Sequence, residues 1–141
     1  MRDLGVLVVD DDSEILSVIE RMFGHFKVKV DCVTSAIEAL NRLKTKDYKT
    51  MITDLDMPEM DGLELAHQAR KLIPDLNVVL FTGNTREQVM NLVFDPQVSD
   101  ISEVHIKPRG LGDMLMGIMK RESGRTFLLE RSKLDKTSGG F

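Results

Sequence analysis

"MITDLDMPEMDG", residues Met51 to Gly62, joins a short apolar run to two acids set two residues apart, Asp54 and Asp56. The run reads as a short strand that ends where the acids begin. Carboxylates in that position can hold a metal, attack a phosphoryl group, cap a helix or simply solvate a loop. The choice turns on what stands at the ends of the other strands.

Working outward, the same strand-then-helix order recurs. Leu4 to Val9 is a nearly unbroken apolar run, as expected of a strand buried on both faces. Ser13 to Phe26 follows with helical spacing, Ile15, Ile19, Met22 and Phe26 forming the apolar stripe with Leu16 and Phe23 beside them. Val28 to Val33 is a second strand, and "SAIE" supplies a capping box, Ser35 with Glu38, for a second helix on Ala39, Leu40 and Leu43. After the opening segment, Leu65, Ala66, Ala69 and Leu72 mark a third helix that must stop before Pro74. "NVVLFT" is the fourth strand, "TREQ" caps a fourth helix, "EVHIKP" is the fifth strand, and Leu111, Leu115 and Ile118 define a fifth helix to about Arg121. Five such units predict an α/β fold, a doubly wound five-stranded parallel sheet with helices on both faces and right-handed crossovers.

Ligands in such sheets bind at the carboxyl ends of the strands. Those ends carry Asp10-Asp11-Asp12, Cys32-Val33, Asp54, Thr82-Gly83 and Lys107-Pro108. Carboxylates brought close together repel, and a divalent cation relieves the repulsion. Oxygen ligands without a nearby His or Cys point to Mg2+. A carboxylate in line with a bound phosphoryl group can then act as nucleophile, and Asp54 is the candidate. Lys107 would neutralise one phosphoryl oxygen and the Thr82 hydroxyl would donate to another. Singly, each has a plainer reading: the acidic triplet as a helix start with Asp12 as N-cap, Thr82 as a β-former, Lys107 as a solvated charge.

Together, "VLVVDDD", "MITDLDMPEMDGLEL", "VVLFTG" and "VHIKP" resemble, in this order, the receiver domain of two-component response regulators, over Met1 to about Arg121. The resemblance implies a flavodoxin-like receiver fold. It matches Asp10 and Asp11 to the acids that hold Mg2+, Asp11 directly and Asp10 mainly through water. It matches Asp54 to the phosphorylated aspartate and metal ligand, Asp56 to a metal ligand through its backbone carbonyl, and Thr82 and Lys107 to the groups that meet the phosphate. Pro58 and Gly62 match residues shaping the loop after the phosphorylation site. A sensor histidine kinase or phosphotransfer protein would be the donor, the domain catalysing only its own transfer and autodephosphorylation. Its output would be protein contacts in a phosphorelay, to a downstream protein the sequence does not name or to a second copy through the fourth helix, fifth strand and fifth helix.

Composition sets bounds on this. The net charge of −4 and pI near 5.4 argue against direct DNA binding. No apolar stretch approaches the ~20 residues of a membrane span, and the lone Cys32 fits a reducing, cytoplasmic setting. Bases outnumber acids from Lys120 onward, so residues 122–141 are expected to be a short tail without an output domain of their own.

Departures from the family are local. Val104 stands three residues before Lys107, where receivers often carry an aromatic ring. "NLVFDPQVSDISEV" is longer than the usual connection, and Pro96 should end the fourth helix early. Met114 and Met119 are expected in the core and Met116 outside it, while His25, His67 and His105 have no partner nearby in sequence. Two other functions share the residues: a receiver-fold binding module that is never phosphorylated, and a phosphatase of the Asp-x-Asp type. The second normally bears its motif on the first strand, whereas here it ends the third.

Overall fold

The computed structural model describes residues 2–121; the expected tail, 122–141, lies outside the described residues. Five strands, β1 (Arg2–Val9), β2 (Val28–Val33), β3 (Thr50–Thr53), β4 (Asn77–Thr82) and β5 (Glu103–Ile106), form one sheet in the order β2-β1-β3-β4-β5. Every neighbouring pair is parallel. The helices are α1 (Ser13–His25), α2 (Ala36–Thr45), α3 (Gly62–Leu72), α4 (Arg86–Asn91) and α5, over residues 111–121. Strand order reverses between β1 and β3, so the crevice opens above the ends of those two strands.

The period-two alternation of the strands sorts their side chains into two cores. Val6, Val8, Ile52, Val79 and Phe81 face α1 and α5, meeting Leu16, Ile19, Phe23, Met114, Leu115 and Ile118. Leu7, Val9, Met51 and Val78 face α2 and α3, meeting Ala36, Ala39, Leu43, Leu65, Ala66 and Ala69. Val6 to Val9 are all at most 1% exposed, which is why β1 reads as an unbroken apolar run. Truncating one of the large side chains in these cores to Ala costs about 2–5 kcal/mol. Gly5, at φ +70, sits where the β1–β2 register shifts, a backbone conformation that L side chains avoid.

Helix ends follow their caps. Asp12 accepts from the Glu14 amide and starts α1. Thr85 and Gln88 form the expected capping box of α4. Ser35 accepts from the Glu38 amide, but Glu38 reaches back one residue further, to the Thr34 amide and hydroxyl. The α1 stripe is rotated from its expected position: Leu16, Ile19 and Phe23 are buried, Ile15 and Met22 are partly buried, and Phe26 is exposed. Phe26 is already the C-cap, and Lys27 takes φ +60, so the chain has left the helix before that ring can reach the sheet. Leu72 is likewise exposed at the last turn of α3. Met114 and Met119 are buried and Met116 is exposed, as expected.

The connection from α4 to β5 is where the chain is least regular. α4 spans only six residues, and two 3-10 turns come after it, Leu92–Phe94 and Pro96–Asp100. Pro96 opens the second turn at its first position, where a missing N–H costs nothing.

Candidate functional site

Sheet hydrogen bonds set the site residues in place. The amide of Asp10 donates to the Val33 carbonyl (3.2 Å), that of Asp54 to Val9 (3.1 Å) and that of Lys107 to Thr82 (2.8 Å). Each continues the ladder by one bond past its strand, so the side chains emerge together above the crevice.

Asp10 is 2% exposed, and both of its carboxylate oxygens are engaged. Oδ1 accepts from the Asp12 amide (2.9 Å) and Oδ2 from Lys107 Nζ (2.8 Å). The same ammonium lies 3.5 Å from Asp54 Oδ2 and 5.7 Å from the centre of the Phe81 ring. Asp54 Oδ1 accepts from the Leu55 amide (2.8 Å), leaving Oδ2 toward the lysine. Asp10, Asp11 and Asp54 each offer a carboxylate oxygen within 4.8 Å of the others, with Asp11 open to solvent. Burial raises the Asp54 carboxyl above its ordinary value; Lys107 pulls it down, and Asp10 pushes it up again.

Three carboxylates against one ammonium leave an excess of negative charge in a partly dry crevice. A small hard cation fits that donor set, which among these residues holds no imidazole or thiol. Asp56, two residues on, has an exposed side chain.

Thr82 is fully buried, and its hydroxyl is already committed. Oγ1 donates to Asn84 Oδ1 (2.5 Å) and accepts from the Asn84 amide (3.1 Å). Sequence reasoning did not single out Asn84, although an Asn two residues past a strand-end Thr is a turn signal. In the loop after β3, the Gly62 amide donates to the Leu55 carbonyl (2.8 Å), and a Cβ on Gly62 would lie 2.2 Å from the Asp54 carbonyl oxygen. Only a residue without a side chain allows the loop to close so tightly on Asp54. Asp61 caps α3 by accepting from the Glu64 amide.

Of the histidines without a partner nearby in sequence, His67 meets one across the fold, whereas the neighbour of His105 is two residues away on β5 and makes no hydrogen bond with it. His67 Nδ1 is 3.1 Å from Asp100 Oδ2, and His105 Nε2 is 3.7 Å from Glu103 Oε2. His25 is exposed at the end of α1, stacked edge-on to Phe26.

Known proteins resemble this chain in sequence and in fold. A model of the response regulator receiver domain matches residues 6–114. The chain is 31% identical over 78 residues to the response regulator receiver protein CpdR of Brucella abortus, covering 55% of this chain and 65% of CpdR. It is 29% identical over 112 residues to the sensor protein EvgS of Escherichia coli K12, covering 73% of this chain and 9% of EvgS. The chain therefore spans less than two thirds of either relative. Among solved structures, the response regulator TrrA of Thermotoga maritima in complex with Mg2+ and BeF superposes with a TM-score of 0.72 at 24% identity, over 84% of this chain and 96% of TrrA. The same regulator in complex with the histidine kinase ThkA gives 0.70 at 24% identity, over 85% of this chain and 100% of the matched chain.

Proposed function

Because the chain belongs to the response regulator receiver domain family, we propose that it is a Mg2+-dependent phosphorylation switch in which Asp54 accepts a phosphoryl group from a histidine kinase or phosphotransfer protein. Receiver domains are signalling modules of two-component systems, and self-catalysed phosphoryl transfer and autodephosphorylation are the only reactions this reading gives the chain. The observation that carries the reading is the convergence of Asp10, Asp11 and Asp54 within 4.8 Å, with Lys107 beside two of them.

Asp11 and Asp54 would hold the cation directly, Asp10 mainly through water and Asp56 through its backbone carbonyl. When bound, Mg2+ supplies charge neutralisation for the phosphoryl oxygens. The chain's own residues do the rest. An Asp54 carboxylate oxygen attacks phosphorus, the P–N bond of a phosphohistidine breaks, and the electron pair stays on the imidazole nitrogen, which takes up a proton. Lys107 balances charge on the transferred group. For the Thr82 hydroxyl to donate to that group it must leave Asn84, so phosphorylation is tied to the turn that begins α4. Water attack on the acyl phosphate then returns free Asp54 and inorganic phosphate.

The output is a change of protein contacts. Met90 on α4, Phe94 after it, Val104 on β5 and Met116 on α5 are exposed apolar side chains available to a downstream protein or a second copy. With Val104 in place of an aromatic ring, the switch works through Thr82 without a ring movement. No helix among the described residues is long and apolar enough to cross a membrane, and the reading places the domain in the cytoplasm.

Intact-mass measurement with Mg2+ and acetyl phosphate tests this. The expected result is one phosphoryl adduct that requires Mg2+ and is absent from Asp54→Ala. A wild-type chain that gains no adduct and binds no beryllofluoride would instead be a constitutive binding module.

A further inference from the structure

The long connection between α4 and β5 is fastened to α3. Three residues spaced along one stripe of that helix, Glu64, His67 and Arg70, grip the second 3-10 turn and the residues after it. Gln97 Nε2 donates to Glu64 Oε2 (2.5 Å), and His67 Nδ1 lies 3.1 Å from Asp100 Oδ2. The Arg70 guanidinium donates to the Asp100 carbonyl and to Ser102 Oγ, each at 3.0 Å, and to the Pro74 carbonyl at 3.4 Å. Ser102 is in turn tied to β4, its Oγ accepting from the Val78 amide (3.2 Å) and its own amide donating to the Val78 carbonyl (2.8 Å).

α4 is held quite differently. None of its six residues is buried within the described residues, and Met90 and Phe94 are 67% and 85% exposed. Just after it, Leu92 packs on Leu55, Leu63 and Leu80, as does Ile101 of the fastened connection. Leu55 comes directly after Asp54, and its amide is the donor to the Asp54 carboxylate. At the other end α4 begins at the Thr82–Asn84 pair and the open Gly83.

From this arrangement we propose that the stripe Glu64, His67 and Arg70 is a positioning clamp that fixes residues 96–102 as an abutment, so that phosphorylation at Asp54 moves only residues 84–94. Release of Thr82 from Asn84 frees the front of α4, and the extended Asp95 between the two 3-10 turns is the rear hinge. Disturbance of the Asp54–Leu55 bond reaches the same segment through Leu92, while Arg70 holds Asp100 and Ser102 in place. Without the clamp, the displacement of α4 would dissipate into the connection and Met90 and Phe94 would be presented alike in both states.

The inference rests on the proposed role of Asp54, so the experiment reads both. Amide hydrogen exchange is measured on the full chain with and without Mg2+ and beryllofluoride, and 19F NMR reports fluoride bound at Asp54. In wild type, beryllofluoride is expected to alter exchange within 84–94 and to leave 96–102 protected. Arg70→Met should accelerate exchange in 96–102 roughly tenfold in both states, the loss expected of one or two charge-assisted bonds. It should also shrink the fluoride-dependent difference in 84–94 while the 19F signal persists, which a merely structural role would not do. Gln97→Ala, which leaves α3 intact, should act in the same direction. Unchanged exchange of 96–102 in both variants, or wild-type deprotection of 96–102 equal to that of 84–94, overturns the clamp alone. Absence of bound fluoride in wild type overturns the Asp54 reading, and the clamp as a switch part falls with it.

Discussion

Asp54, the proposed nucleophile, is held in an environment that works against its charge. Burial lifts its carboxyl above the ordinary value, Lys107 offsets part of this, and Asp10 adds to it. The linkage has a definite sign. A carboxyl whose folded pKa is raised binds its proton more tightly in the folded state, so it adds stability as pH falls through that pKa and subtracts stability at neutral pH. Asp54→Asn is therefore expected to raise the melting temperature at pH 7, by a margin that narrows toward acid; a lower melting temperature at pH 7 would refute the assignment. The Thr82–Asn84 bond gives a second residue-scale prediction. Asn84→Ala should free the hydroxyl and tighten beryllofluoride binding by up to about tenfold, since one neutral hydrogen bond no longer has to break. Isothermal titration would measure it, and weaker binding would mean that the bond aids the site.

Elements matter through how closely they approach one another. At the start of α3, a methyl group on Gly62 would meet the Asp54 carbonyl oxygen at 2.2 Å, a contact with backbone that cannot swing aside. Gly62→Ala should displace the β3–α3 loop, destabilise the fold by about 2 kcal/mol or more, and abolish adduct formation; chemical denaturation and intact mass read the two effects. At the opposite end of the sheet, Lys46 joins β1 to β2, its ammonium 2.8 Å from both Asp3 and Asp31, while the Tyr48 hydroxyl donates to Asp31 at 2.6 Å. The lysine hydrogen bond holds the Asp3 carboxyl below its ordinary value. For Asp31, burial pushes upward, but the Lys46 and Tyr48 hydrogen bonds outweigh it and the carboxyl is lowered. Groups lowered on folding contribute stability above their unfolded pKa and lose it as pH falls through the folded one. Lys46→Met should thus destabilise the protein at neutral pH by roughly 1 kcal/mol, a figure kept small because the lysine is 35% exposed and screened, and the difference should fade in acid. A loss that persists undiminished in acid would show that packing, not charge, was removed.

At the scale of the whole molecule, parallel strands deliver carboxylates to one crevice, and their mutual repulsion is an unfavourable term that a cation removes. Mg2+ should raise the melting temperature in a saturable way, scaling as RT ln(1 + [Mg2+]/Kd), or about 2.7 kcal/mol at a hundredfold excess over Kd. The gain should be much reduced in Asp11→Asn; an equal gain there would locate the binding elsewhere. Much of this was legible in the chain itself. The alternation of apolar runs and helical stripes predicted five strands and five helices, and the strand ends predicted Asp10, Asp11, Asp54, Thr82 and Lys107 as one group. What was misread concerned contacts between distant segments. The partner of His67 was not legible, because Asp100 is 33 residues away. Phe26 was assigned to the α1 stripe because spacing alone does not reveal where a helix is capped.

Local interactions account for what the sequence determined: period, caps, turn residues and the order of elements act over a few residues and so are written in short stretches such as "MITDLDMPEMDG". Tertiary structure decided the rest. The pairing of Lys107 with Asp10, 97 residues apart, and the fastening of residues 96–102 to α3 exist only once the sheet has set those groups side by side. Their strength comes from distance and desolvation, which the fold creates and no local pattern encodes.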